Sequence, residues 1–234
     1  MTDLLIAVGV MCAINTVLAV LLVIADATIG NYGECGVTVN GKKKLTVQGG
    51  RSLLNALRDN QIFIPSACGG RGSCGLCKVA VLEGAGTVLP TELPWLTPEE
   101  QKASIRLSCQ VKVKRDLSIR IPEELFSVRQ YRTQVVGLSD LTYDIKEVRL
   151  KLIEPSAVTF TAGQYIQIEV PPYELTDEPV YRAYSIASAP SETGAIELEI
   201  RYVPNGICTT YVHKHLKVGD AVTINGPYGS FCLH

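Results

Sequence analysis

The stretch CGGRGSCGLC, residues 68–77, holds three cysteines and four glycines in ten positions. The spacing is C-x5-C-x2-C, at Cys68, Cys74 and Cys77, and a fourth cysteine, Cys109, follows in RLSCQ. Four thiolates, three from one loop and one brought in by the fold, suit a tetrahedral metal ion or a [2Fe–2S] cluster. Zinc sites commonly use paired C-x2-4-C knuckles, whereas a cluster needs backbone amides curled around its sulfides. Glycines 69, 70, 72 and 75 supply the positive φ values that such a curl requires, which favours the cluster.

The flanks of the loop set the surrounding fold. Upstream, VTVNGKKKLTV places Asn40-Gly41 between two β-branched runs, a hairpin signal. SLLNALRDN carries Leu53, Leu54 and Leu57 on one helical face, with Ser52 as its N-cap. Downstream, KVAVL alternates as a strand, and TPEEQ opens a helix with Thr97 as cap, Pro98 at its first position and Glu100 closing a capping box. RLSCQVKV and LSIRIP are expected as two further strands. The sum is a small mixed sheet around one main helix.

From about Val128 the pattern changes. YRTQVVGL, IKEVRLKL, QYIQIEV, RAYSIAS, AIELEIRYV and AVTING form six expected strands, a spacing that suggests an antiparallel β-barrel, with one short helix near TTYVHKHL. His213 and His215, two apart in that helix, face different ways, so a shared metal is not expected.

The chain begins with a different element. Leu4 to Ala25 contains no charged residue, and its polar side chains are Asn15 and Thr16. Twenty-two residues at about 1.5 Å each reach roughly 33 Å, enough for a hydrocarbon core. A signal peptide would carry a basic start and a shorter apolar core. Lys42, Lys43, Lys44 and Arg51 follow the span and none precedes it, which puts the bulk of the chain in the cytoplasm and disfavours disulfides. Cys12 lies within the span. A linker is expected over 26–36. The formal net charge of −1 gives no sign of nucleic-acid binding. The expected division is an anchor and linker over 1–34, a first domain over 35–126 and a second over 127–234, an α+β multidomain chain.

SACGGRGSCGLCKV together with RLSCQV resembles the [2Fe–2S] ferredoxin domains of plant and adrenodoxin type, which implies a β-grasp fold. The first gap, five residues against four in the plant pattern, points to the adrenodoxin-like branch and to the reductases that carry a ferredoxin domain. FTAGQY, RAYS, NGICTTYV and INGPYG, in this order, resemble the FAD-binding barrel of the ferredoxin-NADP⁺ reductase family. That likeness implies Arg182 on a flavin phosphate, Tyr184 and Ser185 at the flavin ring, and Gly206, Thr209 and Thr210 at a helix start that receives the pyrophosphate. Cys208 and Cys232 are expected to be ordinary small residues, and for Cys35, just past the linker, a redox or ligand role has only its position in favour.

Anchor, ferredoxin and flavin barrel in one chain, with VLPTELPWLTPEE and IPEELF, resemble the F-subunit family of Na⁺-translocating NADH:quinone reductases. The resemblance implies an oxidoreductase subunit in a bacterial cytoplasmic membrane. It would pass electrons from FAD to the cluster and on to membrane subunits of a sodium-translocating complex that reduces quinone. In that family a nucleotide-binding α/β domain follows the GPYG turn. Five residues follow Gly229 here, with no βαβ pattern or glycine-rich fingerprint. The expectation is a chain that holds FAD and the cluster but does not use NADH efficiently alone. Three alternatives stay open: a reductase component of a bacterial oxygenase, a tethered ferredoxin whose barrel holds no flavin, and a zinc-stabilised membrane adaptor.

Overall fold

The computed structural model describes residues 2–29 and 32–229. Helix α1 spans Thr2–Ile29. Its window Ile6–Val23 has a mean hydropathy of 2.6, and none of it is buried against the rest of the chain. It is therefore not a core helix, and it is long and apolar enough to cross a bilayer. The expected linker is shorter than 26–36, because α1 runs to Ile29 and strand β1 (Glu34–Val39) starts at Glu34.

The first domain is a five-stranded sheet in the order β2-β1-β5-β3-β4, with β2 at Lys43–Gln48, β3 at Lys78–Glu83, β4 at Ile105–Leu107 and β5 at Leu117–Arg120. β1 and β5 run parallel and the other pairs antiparallel. The β1–β2 hairpin turns at Asn40 and Gly41, both with positive φ, as a tight twisted turn requires. Asn40 also ties the hairpin to the end of β5: its Nδ2 donates to Ile121 O (3.0 Å), and its Oδ1 accepts from Ile121 N (2.8 Å). Helix α2 (Leu53–Asp59) is capped by Ser52, whose hydroxyl accepts from Asn55 N. It buries Leu53, Leu54, Ala56 and Leu57 against the sheet. These side chains join the buried core formed with Val37, Val39, Val79, Val81, Leu107 and Ile119 of the sheet. Helix α3 (Pro98–Lys102) carries the full capping box between Thr97 and Glu100.

One expected strand is cut short. RLSCQVKV is a strand only to Leu107. Leu107 O then accepts from both Gln110 N (2.8 Å) and Val111 N (3.2 Å), so the chain turns out of the ladder at Cys109. A thiol that must reach a neighbouring loop cannot remain in a regular strand, where it would be fixed to one face of the sheet.

The second domain is one curled antiparallel sheet in the order β10-β7-β6-β11-β8-β9. All six expected strands are present: β6 Arg129–Asp140, β7 Ile145–Glu154, β8 Tyr165–Val170, β9 Val180–Ser185, β10 Ala195–Arg201 and β11 Ala221–Tyr228. The sheet is a half-barrel, not a fully laddered cylinder. Its two edges approach through the loop after β9, where Ala187 N donates to Glu197 O (2.8 Å) and Ser188 Oγ accepts from Glu197 N (3.2 Å). Leu150, Ile166, Ile196, Leu198, Ile200 and Ile224 fill its interior. Helix α4 (Ile207–Lys214) covers one opening and buries Cys208 and Val212.

The domains are in contact. Phe63 of the first packs with Val128, Tyr165 and Tyr228 of the second. The Arg58 guanidinium, on α2, lies 3.7 Å from the centroid of the Tyr181 ring on β9.

Candidate functional site

The residues from Cys68 to Cys77 form a loop between α2 and β3, and the turn after β4 delivers Cys109 to it. The cysteines are free thiols. Cys77 and Cys109 are buried, and Cys68 and Cys74 are half-buried. Among the described residues no three His, Cys, Asp or Glu side chains close on one point as a mononuclear ion needs. Four thiols, three in one glycine-rich loop and one on the turn beside it, are a donor set that fits a [2Fe–2S] cluster.

The loop's electrostatics favour thiolates. Burial raises the Cys68 pKa, but the amides of Ser73 and Arg71 and the Cys74 thiol more than offset it and bring it down to about 6. Cys109 is held at about 7, chiefly by the hydrogen bond from Cys77 and against burial, with help from Gln110. Cys77 is pushed up by that same contact and by burial, so the pair's first negative charge sits on Cys109.

The loop is shaped by neighbours as much as by its own sequence. Glycines 69, 70, 72 and 75 all take positive φ. At Gly75 (φ +68°) a Cβ would lie 2.7 Å from the Trp95 ring, so the indole packs directly on the backbone. At Gly69 a Cβ would collide with Arg182 Nη1 and stand 2.9 Å from Tyr181 O, so this glycine admits the second domain. Gln110 donates Nε2 to Cys109 Sγ (3.6 Å) and is itself held by Thr91 Oγ1 (2.9 Å).

Behind Cys109 lies a buried ion pair. Glu92 is 0 % exposed and Arg106 4 %. Glu92 accepts from Arg106 Nε (3.0 Å), Leu89 N (2.9 Å) and Leu107 N (2.9 Å), and Arg106 Nη1 donates to Gly86 O (3.0 Å). Burial opposes the carboxylate charge, yet Arg106 and these amides hold its pKa below the usual range. The pair pins the 85–92 segment to the last residue of β4, two positions before Cys109. None of Gln110, Trp95, Glu92 or Arg106 was among the expected site residues. Only Gln110, beside a cysteine in RLSCQ, carried a local signal.

The flavin candidates lie on β9 and at the start of α4. Arg182 is half-buried and donates Nη1 to Tyr181 O (2.8 Å). Tyr184 hydrogen-bonds the buried Cys208 thiol, which links β9 to α4; burial pushes both groups upward, Cys208 to about 11. Ser185 is exposed. Gly206 is the N-cap of α4 and offers no side chain to the helix's first amides. Thr209 faces inward: its hydroxyl accepts from Val203 N (3.2 Å) and donates to Val203 O (3.0 Å). Thr210 is buried, and its hydroxyl has no hydrogen-bond partner. β9 and α4 thus bring together Arg182, Tyr184 and Gly206, while the Thr209 hydroxyl belongs to the Val203 turn.

The other polar singletons have structural places. Cys35 is buried, with its thiol 3.7 Å from Tyr32 O. His213 Nε2 meets Ile200 O (2.9 Å), and His215 stands 3.2 Å from Glu174, so the two histidines do face apart. Cys232 lies outside the described residues.

Known proteins line up with both halves. Residues 37–114 match the 2Fe-2S iron-sulfur cluster binding domain, and residues 132–232 match the oxidoreductase FAD-binding domain. The chain is similar to the F subunit of the Na(+)-translocating NADH-quinone reductase of Neisseria meningitidis (strain FAM18), with 40% identity over 92% of this chain and 62% of the relative. The same-named protein of Klebsiella pneumoniae is 38% identical over 92% of this chain and 62% of its own length. The chain thus spans about three-fifths of the length of these relatives. Among solved structures, the Amycolatopsis cytochrome P450 reductase GcoB superposes with a TM-score of 0.60 at 29% identity, over 86% of this chain and 59% of that one. A ferredoxin reductase in carbazole 1,9a-dioxygenase gives 0.59 at 27%, over 86% and 62%.

Proposed function

Because the chain is homologous over 92% of its length to the F subunits of Na⁺-translocating NADH-quinone reductases, we propose that it is the electron-transfer subunit of such a complex, held at the bacterial cytoplasmic membrane by α1. Its partners would be the complex's membrane subunits, with NADH as the ultimate donor and quinone as the acceptor. The soluble domains would face the cytoplasm, as the basic residues after α1 suggest.

The observation that carries this reading is the set of four free cysteines in and beside a glycine loop that touches β9 directly, at Gly69 against Arg182. Cys68, Cys74, Cys77 and Cys109 would ligate a [2Fe–2S] cluster. Arg182, Tyr184, Ser185, Gly206 and Thr210, with the Thr209 backbone, would hold FAD. When bound, FAD takes two electrons and releases them singly to a one-electron cluster. The chain's own part is positional. Gln110 would donate a hydrogen bond to a ligand sulfur, and Trp95 shields one side of the loop from water. The unpartnered Thr210 hydroxyl and the uncapped amides of α4 are donors suited to a phosphate.

The likeness to two oxygenase reductases supports the arrangement of the two domains, but a 28-residue helix whose apolar window Ile6–Val23 packs on nothing favours a membrane complex. The test is a visible and EPR spectrum of the purified full chain before and after dithionite. A flavin band with a rhombic [2Fe–2S] signal on reduction is expected. A reduced sample with no such signal overturns the reading, and cluster bands without flavin leave only the tethered ferredoxin.

A further inference from the structure

The first domain sits on the second at three points, all from the short run that leads into the cysteine loop. Arg58 lies in the last turn of α2, Phe63 follows it, and Gly69 is next to Cys68. The Arg58 guanidinium is 3.7 Å from the centroid of the buried Tyr181 ring on β9. Phe63 packs with Tyr165 of β8, which pairs across the ladder with Ser185 of β9. Gly69 makes room for the Tyr181 carbonyl and for Arg182, whose Nη1 donates to that carbonyl (2.8 Å). The three seats therefore span β9 from Tyr181 to Ser185, the strand that carries Arg182 and Tyr184.

They differ in kind. Phe63 makes an apolar contact, which holds without fixing a direction. Gly69 contributes only an absence of bulk. Arg58 on Tyr181 is directional, because a cation is drawn to the face of a ring and not to its edge. Among the described residues Arg58 forms no ion pair: its contact with Asn55 Oδ1 is long (3.4 Å), and the neighbouring Asp59 is bonded to Arg51. A cavity of about 460 Å³, walled in part by Asn55, Asp59 and Glu178, adjoins the stack. The guanidinium thus lies on the ring although open space adjoins it.

We propose that Arg58 stacked on Tyr181 is the latch that holds the cluster loop against β9, so that both are positioning residues for electron transfer between flavin and cluster. This deepens the proposed function and rests on it. The step moves one electron: the reduced flavin loses it, with any released proton passing to water, and a ferric iron of the cluster gains it. Electron transfer through protein falls exponentially with distance, so a loosened seat costs rate without altering either cofactor.

The test uses the full chain in detergent with both cofactors bound. A light flash with a deazaflavin reductant puts one electron into the chain, and its passage between flavin and cluster is followed by absorbance. Neither side chain is a candidate ligand of either cofactor, so the variants should keep both spectra and both midpoint potentials. The expected result is transfer slowed about tenfold in Arg58→Ala and in Tyr181→Leu, with no further slowing when the two are combined. Tyr181→Phe keeps the ring face and should stay near the wild-type rate, and Arg58→Lys keeps the charge and should recover part of it. A rate within about threefold of wild type in Arg58→Ala overturns the proposal. So does slowing that tracks a shifted midpoint potential, which would make Arg58 a charge acting on a cofactor, and so do effects that multiply in the double variant. A wild-type chain that holds one cofactor only, or passes no electron between the two, overturns the proposed function and the latch with it, and is recognised without any variant.

Discussion

In the first domain the four candidate ligands come from one ten-residue loop and one turn, fixed by glycines, a buried ion pair and an indole. In the second, the candidates are spread over β9 and the start of α4. The thiols all lie within residues 68–109, whereas the flavin candidates are held by contacts between β9 and α4, elements more than twenty residues apart. Covalent metal ligation demands fixed sulfur positions, which local sequence can dictate. Nucleotide binding is a sum of weaker hydrogen bonds and charges that distant elements can share.

The sharpest way to break this comparison is Cys109→Ala. It should abolish the cluster while leaving flavin bound, read as loss of the [2Fe–2S] EPR signal with flavin absorbance retained. Loss of both cofactors from a folded protein would show that the sites are not separable. Next in size is Glu92→Gln, which leaves Arg106 charged and unpaired in the interior. The expected cost is about 3–5 kcal/mol in the first domain, measured by denaturant unfolding, with the barrel's own transition unmoved.

The same carboxylate gives the first domain a pH signature. Its folded pKa lies below the unfolded value of about 4.3. Its contribution is therefore full above that pH and is lost as pH falls through the lower folded pKa. Acid unfolding of Glu92→Gln should show a flatter dependence below about pH 4.3 than the wild type.

Gly75→Ala is a smaller perturbation. It adds a methyl against Trp95 at a positive φ, for about 1–3 kcal/mol, visible as a lower Tm together with a changed indole fluorescence. Thr97→Ala is the mildest. It removes one half of the α3 capping box for about 1 kcal/mol, and cluster spectra should be unaffected.

Much of this was legible in the sequence, for physical reasons. Asn40-Gly41, the Ser52 cap and the Thr97–Glu100 box are local devices whose partners lie within a few residues, and each stands where expected. The cysteine loop was legible because its glycines and thiols are consecutive. The end of β4 at Leu107 was not, because RLSCQVKV alternates like a strand and only the need to turn Cys109 toward the loop ends it. The Glu92–Arg106 pair joins residues fourteen apart through a loop, and Arg58–Tyr181 and Gly69–Arg182 join two domains. No periodicity marks such contacts.

Helix α1 ends at Ile29 and β1 starts at Glu34. Five peptide steps cover at most about 18 Å. A bilayer holding α1 would therefore keep the first strand of the cluster domain within that radius of the helix end, a short leash. Confinement of this kind sets a local concentration in the millimolar range for any redox partner anchored alongside. Under the proposed function, electron delivery to such a partner would become a matter of rotation within a small volume, with no diffusional search in the rate.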